Sequence, residues 1–133
     1  MRTFIADTHA LIWFLTEPGR LSSSAVAAFG EARKARIPFL VSAVSLVEIS
    51  YLAEKGRIAY DFPESLSHLL EDPLSGITIY PLDAEIGFAV RHIPRNQVPD
   101  MPDRIIAATA LCLGIPLVTR DAKIRASGVD TIW

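Results

Sequence analysis

The stretch Thr3-Phe4-Ile5-Ala6-Asp7-Thr8-His9-Ala10-Leu11-Ile12-Trp13-Phe14-Leu15 determines the fold class. Residues 3–6 form a short, mainly apolar run that is typical of a strand buried on both faces. From Thr8 onward the apolar side chains indicate a short helix, which Pro18-Gly19 ends. Asp7 stands between the two elements. The chain therefore opens with a buried strand, an acid and a helix, as an α/β unit does.

The same alternation of strand-like and helix-like segments continues to the end of the chain. The pattern predicts further strands at 39–42, 77–80, 115–119 and 129–133, and helices at 8–15, 22–35, 44–55, 63–72, 84–92, 102–113 and 121–126. This alternation favours an α/β fold with a mostly parallel central sheet that helices cover on both faces. A length of 133 residues without a linker-like tract predicts a single domain over residues 1–133.

Composition sets limits on the compartment and the partners. The formal net charge is −2, so overall charge gives no argument for nucleic-acid binding. The single cysteine, Cys112, cannot form an internal disulfide, and we expect it to be a small buried hydrophobic residue in a reducing compartment. Asp7 and His9 interrupt the apolar N-terminal stretch, and no uninterrupted apolar run approaches membrane-spanning length. We therefore expect a cytoplasmic protein with no membrane segment.

Four acidic residues occupy positions that a parallel sheet brings together. Asp7 directly follows the first predicted strand, and Asp121 lies two residues past the fourth. Asp103 is in the first turn of the helix that leads into the fourth strand, and Glu48 is about one turn into the helix after the second. Because sites in open α/β sheets form beyond the carboxyl ends of the strands, we expect all four acids to face one crevice.

Each acid also has an alternative structural role. Asp7 and Asp121 could simply cap the helices that follow them, and Asp103 could be a first-turn acid favoured by the helix dipole. Glu48 lies in the apolar stripe of its helix, between Val44 and Leu52, and therefore needs either a partner arginine or a metal.

The four acids together predict a metal site. Converging carboxylates repel one another and take up protons, and a divalent cation removes that penalty. Oxygen ligands favour Mg²⁺, or Mn²⁺, over zinc, and such a site suits the hydrolysis of phosphodiesters. Thr119, two residues before Asp121, could hold a water at the metal or a phosphate oxygen, or be an ordinary strand residue.

Four stretches of this chain resemble the PIN-domain ribonucleases, and specifically the VapC-type toxins of toxin–antitoxin pairs. The matching stretches, in order, are Ile5-Ala6-Asp7-Thr8-His9-Ala10-Leu11-Ile12-Trp13, Ser42-Ala43-Val44-Ser45-Leu46-Val47-Glu48-Ile49, Pro102-Asp103-Arg104-Ile105-Ile106-Ala107-Ala108-Thr109-Ala110 and Leu117-Val118-Thr119-Arg120-Asp121. Each stretch alone is a weak signal, but four in register cover essentially the whole chain.

The resemblance implies a three-layer α/β/α sandwich with a parallel sheet and cleavage of RNA that depends on a divalent metal. It further implies a homodimer and inhibition by a small cognate antitoxin of the VapB type. The family's four acids match Asp7, Glu48, Asp103 and Asp121, and the hydroxyl residue near the last acid matches Thr119. The resemblance therefore assigns catalysis to these five residues and metal binding to the four acids.

Other polar and aromatic residues carry weaker expectations. We expect His9 to have a structural role, and Trp13 and Phe14 to pack in the core or a dimer interface rather than stack on a base. His68 and His92 fall on predicted helix surfaces. Each of the cations near the predicted site is expected to be a surface charge when taken alone; they are Arg91, Arg95, Arg104, Arg120, Lys123 and Arg125.

Two other functions fit acids at strand ends less well. A non-catalytic module that receives a phosphoryl group would need an aspartate at the end of a central strand, whereas the third predicted strand ends at Tyr80-Pro81. A haloacid-dehalogenase-type phosphomonoesterase would need Asp-x-Asp after the first strand, whereas this chain has Asp7-Thr8-His9. The first of these remains the alternative hypothesis.

Overall fold

The computed structural model describes residues 2–133, which form a five-stranded parallel sheet with seven α-helices. The predicted α/β class with a parallel central sheet is thereby confirmed. Met1, which the predicted domain 1–133 includes, lies outside the described residues.

The elements follow one another with short connections. The strands are β1 (Ile5–Ala6), β2 (Phe39–Ser42), β3 (Ile77–Tyr80), β4 (Leu117–Val118) and β5 (Thr131–Ile132). The α-helices are α1 (Thr8–Thr16), α2 (Ser23–Ala35), α3 (Ala43–Glu54), α4 (Phe62–Glu71), α5 (Ala84–Ala89), α6 (Met101–Leu113) and α7 (Ala122–Ala126). Two 3-10 helices, Pro18–Arg20 and Val90–His92, follow α1 and α5.

The strand order, β3-β2-β1-β4-β5, places β1 at the centre of the sheet. Ile5 of β1 lies opposite Leu40 of β2 on one side and Leu117 of β4 on the other. The chain runs outward from β1 in one direction through β2 and β3, and in the other through β4 and β5. A crevice opens where the direction changes, beyond the carboxyl ends of the strands. Asp7 and Asp121 lie at that edge because they follow β1 and β4.

Hydrophobic side chains fill both faces of the sheet, because the sheet is covered on both sides. One cluster contains Ala6 and the aromatic rings of Phe4, Phe29 and Phe39, whose centroids lie 5.0–5.3 Å apart. The other cluster contains Ile5 and the buried face of α6. Phe14 stacks on Phe29 at 4.2 Å, so the predicted core packing of this ring is confirmed.

Several details differ from the sequence-based predictions. β1 and β4 are two residues each, shorter than predicted, and α5 ends at Ala89 before the 3-10 turn. The expectation that Cys112 is buried is wrong, because the buried run of α6 ends at Ala110 and the thiol is exposed. Among residues 2–133, no helix combines the length and the apolar character that crossing a bilayer requires.

Candidate active site

Asp7 occupies the junction of β1 and α1 and is held from three directions. Its backbone N–H donates to the Val118 carbonyl at 3.0 Å, which fixes it against β4. One carboxylate oxygen, Oδ1, accepts from the Ala10 N–H at 2.7 Å and caps α1, and Oδ2 accepts from the Thr119 hydroxyl. Burial raises the pKa of Asp7, and the hydrogen bonds from Thr119 and Ala10 act against that rise. Asp7 is therefore both a helix cap and a strongly perturbed carboxyl group.

Thr119 is completely buried and connects two of the acids. Its hydroxyl donates to Asp7 Oδ2 and accepts from the Asp121 N–H at 3.0 Å. The sequence suggested that this hydroxyl holds a water or a phosphate oxygen. In the structure this hydroxyl donates a hydrogen bond to the Asp7 carboxylate, so Thr119 orients Asp7 and the backbone of Asp121, and its contact with a water or a phosphate oxygen stays a prediction.

Asp121 caps the short helix α7. Its Oδ1 accepts from the Lys123 N–H at 2.8 Å and the Ile124 N–H at 3.4 Å. The capping role considered for this residue is thus present, and the same carboxyl group lines a cleft with the other acids.

Asp103, in the first turn of α6, has a pKa raised to about 7. Partial burial is the largest cause, followed by the negative charges of Asp100, Asp121 and Glu48 and a hydrogen bond with the Asp121 carboxyl group. Asp100 caps α6, because its Oδ1 accepts from the Asp103 N–H at 3.1 Å. The carboxyl groups are therefore close enough to one another to repel.

Asp100 is a site residue that the sequence analysis missed. It lines the cleft together with the four predicted acids. The available signal was the Asp100-Met101-Pro102-Asp103 spacing, in which an aspartate precedes a proline in the first helical turn and takes the N-cap position.

Glu48 projects from α3 and is half-buried. Its Oε1 is buried without a hydrogen-bond partner, and over residues 2–133 it forms no ion pair with a lysine or arginine. The alternative of a partner arginine is therefore not realised in this part of the chain. An unpartnered buried carboxylate oxygen is costly, and a bound cation would satisfy it.

These acids share one open cleft of about 540 Å³ at the carboxyl edge of the sheet. Its lining residues are Asp7, His9, Trp13, Arg20, Glu48, Asp100, Asp103, Arg120 and Asp121. Within residues 2–133, no three acidic, histidine or cysteine side chains are arranged so that they could hold a metal ion as they stand. The cleft gathers the acids around an open space rather than into a tight cage.

His9 reaches the cleft. Its side chain is exposed and lines the cleft, and the structural role that we expected for it stays a prediction. Its positive form also lowers the pKa of Asp7. His68 and His92 are exposed on helix surfaces, as expected.

The donor set fits a divalent cation such as Mg²⁺. All five acids offer hard carboxylate oxygens, which Mg²⁺ prefers. Burial is the largest cause of the raised pKa of Asp7 and of Asp103, and the negative charge of Glu48 adds to the rise at both, so a bound cation would favour their ionised forms. The unpartnered Glu48 Oε1 provides a further free ligand atom.

The cations near the cleft divide into two groups. Arg104 is committed to the fold, because its guanidinium donates to the Ile93 and Val90 carbonyls at 2.9–3.2 Å. Arg120 and Arg20 line the cleft. The other predicted cations are exposed side chains outside the cleft lining, namely Arg91, Arg95, Lys123 and Arg125.

Residues 4–128 match the family model of the PIN domain. The chain belongs to the PIN-domain family. The matched PIN-domain region includes all five residues that the sequence analysis proposed as the site. A curated relative, Ribonuclease VapC22 of Mycobacterium tuberculosis, is 34% identical over 127 residues, which cover 95% of this chain and 92% of the relative.

Solved structures share the PIN-domain architecture at lower identity. VapBC2 from Rickettsia felis, bound to a promoter DNA fragment, superposes with a TM-score of 0.71 at 16% identity, covering 99% of this chain and 100% of that one. The DNA-bound VapBC from Salmonella typhimurium gives a TM-score of 0.68 at 19% identity, with coverage of 98% and 96%. At these identities the likeness establishes the fold alone.

Proposed function

We propose that this chain is a ribonuclease that hydrolyses phosphodiester bonds in RNA and requires Mg²⁺, for which Mn²⁺ can substitute. The observation that carries the proposal is the shared cleft of Asp7, Glu48, Asp103 and Asp121 at the carboxyl edge of the sheet. The 34% identity to a relative named as a ribonuclease supports it.

In this proposal the four acids hold the cation, and Thr119 keeps two of them in place. Bound Mg²⁺ supplies charge that activates a water and stabilises the oxygen that leaves the phosphorus. Thr119 orients the Asp7 carboxylate through its hydroxyl group and fixes the turn that carries Asp121. Asp100 fixes the first turn of α6 and so the direction of Asp103.

We further propose that the ribonuclease is the toxin of a toxin–antitoxin pair, acts in the cytoplasm as a homodimer and is inhibited by a VapB-type antitoxin. The support is the curated relative, together with structural neighbours described as toxin–antitoxin complexes, among them one from Klebsiella pneumoniae. Co-purification with the product of a small neighbouring gene tests the partner, and sedimentation tests the dimer.

The decisive experiment compares two aspartate-to-asparagine variants with a matched control. Asp7→Asn and Asp103→Asn should reduce Mg²⁺-dependent RNA cleavage by at least about 100-fold, and EDTA should stop the wild type. Asn also caps helices, so the fold should persist in Asp7→Asn. Asp83→Asn is the control, because Asp83 also caps a helix, through the Ile86 N–H at 2.9 Å.

Asp83 is far from the cleft. Its negative charge helps to raise the pKa of Cys112, which places Asp83 near the end of α6 opposite Asp103. The nine residues from Asp103 to Cys112 span about 13 Å of helix. Full cleavage by Asp7→Asn and Asp103→Asn would refute the site. Stable labelling of the wild type by acetyl phosphate, without RNA cleavage, would favour the phosphoryl-receiving alternative instead.

A further inference from the structure

Two arginines line the acidic cleft without pairing with its acids. Arg20 and Arg120 both have exposed side chains that face the same space as the four aspartates and the one glutamate of the cleft. Over residues 2–133, neither guanidinium forms an ion pair or a side-chain hydrogen bond. Their donors are therefore free, although carboxylates lie in the same cleft.

Trp13 accounts for the position of these arginines. The guanidinium carbon of Arg20 lies 4.5 Å from the centre of the Trp13 ring, and that of Arg120 lies 5.7 Å from it. Both distances fall in the range of cation–π attraction, and tryptophan is the strongest partner for it. Trp13 itself is only 7% exposed, so its ring faces are not available to stack on a base. The ring serves instead as a platform for two cations.

The backbone of each arginine is also fixed. Arg20 ends the 3-10 helix Pro18–Arg20, and its N–H donates to the Glu17 carbonyl at 3.0 Å. Arg120 lies between Thr119 and Asp121, which are joined by the hydrogen bond at 3.0 Å. The backbone positions from which both arginines reach Trp13 are thus fixed by the fold.

We propose that Arg20 and Arg120, seated on Trp13, bind phosphate groups of the RNA strand that flank the bond to be cleaved. This inference rests on the proposed RNA-cleaving function. A polyanion needs cations to approach a cleft with five carboxylates, and a planar guanidinium binds phosphate oxygens through two parallel hydrogen bonds. Both guanidinium carbons lie over the indole ring, and a guanidinium that stacks on an aromatic face keeps its N–H edges for phosphate. Trp13 is a positioning residue in this arrangement.

Two measurements test the proposal. Binding of a labelled single-stranded RNA is titrated with salt in the Asp103→Asn background, where the RNA stays intact, and KM and kcat are measured with Mg²⁺ in the wild-type background. Arg20→Ala and Arg120→Ala should each weaken binding several-fold and reduce the salt slope by about 0.7, the value for one phosphate contact on a single strand. KM should rise several-fold and kcat should stay within about twofold.

Three further variants separate charge, stacking and remote effects. Arg20→Lys keeps the charge but not the planar fork, and should lose part of the affinity. Trp13→Phe keeps a smaller ring in the core and should give an intermediate KM. Arg33→Ala is the matched control, because Arg33 is an exposed arginine in the last turn of α2. Since α2 leads into the amino end of β2, Arg33 lies at the edge of the sheet opposite the cleft.

The outcomes distinguish this inference from the proposed function. If Arg20→Ala and Arg120→Ala bind RNA with the affinity and slope of Arg33→Ala, the inference is overturned, even when the wild type cleaves RNA. If the wild type binds RNA through these arginines but does not cleave it, the nuclease proposal fails, and the arginines bind RNA phosphates that do not flank a cleaved bond. If both variants keep RNA binding but lose a co-purified acidic partner protein, the arginines serve that partner and the inference is again overturned.

Discussion

Replacing Thr119 by valine should destabilise the fold and impair the cleft together. Valine keeps the branched shape of threonine but removes the hydroxyl that donates to Asp7 and accepts from the Asp121 N–H. Asp7 Oδ2 then lacks its only side-chain donor in a residue that is 9% exposed. A buried polar group that loses its partner costs roughly 1–3 kcal/mol, and the second lost bond is in a part-buried amide. We expect the free energy of unfolding to fall by about 2–4 kcal/mol.

The assay pairs urea unfolding with RNA cleavage in the same preparations. The urea midpoint should fall with an unchanged m-value, and cleavage should fall by about 10- to 100-fold, as when a ligand-orienting partner is lost. Thr109→Val is the control, because Thr109 is equally buried but its hydroxyl donates only to the Ile105 carbonyl of its own helix, at 2.8 Å. Thr119→Ser keeps the hydroxyl and should retain most of the activity. Equal stability and activity in Thr119→Val and Thr109→Val would refute the reasoning.

Two further predictions concern the other acids of the cleft. Because the pKa of Asp103 is about 7 in the folded chain and 3.8 is its ordinary value, the folded state binds a proton that the unfolded state has released. The unfolding free energy of the metal-free protein should therefore fall as pH rises from about 4 to about 7. Urea titrations of Asp103→Asn should show a flatter fall of the unfolding free energy over this range. An unchanged dependence on pH in this variant would contradict the assignment to Asp103. Glu48→Leu should abolish cleavage yet raise the unfolding free energy by about 1 kcal/mol or more, because it removes an unpartnered buried oxygen. As a control, Glu54→Leu at an exposed position of the same helix should keep an unfolding free energy within about 0.5 kcal/mol of the wild type. If Glu48→Leu is destabilised instead, Glu48 Oε1 has a partner in solution and the reasoning is wrong.

The sequence predicts most of the fold because its signals are local. Apolar runs bounded by proline, glycine and capping residues define where elements begin and end, as at Asp83 before α5 and Gly114 after α6. The errors lie where local pattern is ambiguous. β1 and β4 are shorter than their apolar runs, because ladder hydrogen bonds depend on the neighbouring strand as well as on composition.

The placement of the four acids in one cleft also follows from the sequence, since parallel strands bring their carboxyl ends to one edge. The basic part of the cleft follows only for Arg120, which precedes Asp121 in the sequence. Arg20 reaches the site from a 3-10 turn after α1, and only the packing of α1 against that turn brings it over Trp13. His9 follows Asp7 by two residues and its position in α1 turns its side chain outward into the cleft, which composition alone does not indicate.

The capping role of these acids is compatible with the cation binding that we propose for them. Asp7, Asp100 and Asp121 cap α1, α6 and α7, so the amino-terminal ends of three helices converge on the same cleft. Backbone N–H groups at those ends donate to the carboxylates, and the helix dipoles favour negative charge there. Part of the repulsion among the acids is therefore offset by the fold itself, which allows the cluster to form before a cation binds. The offset is incomplete, because the pKa of Asp7 and that of Asp103 remain raised and Glu48 Oε1 has no donor. In the function that we propose, a divalent cation would satisfy the remaining negative charge of the acids, beside the two arginines on Trp13.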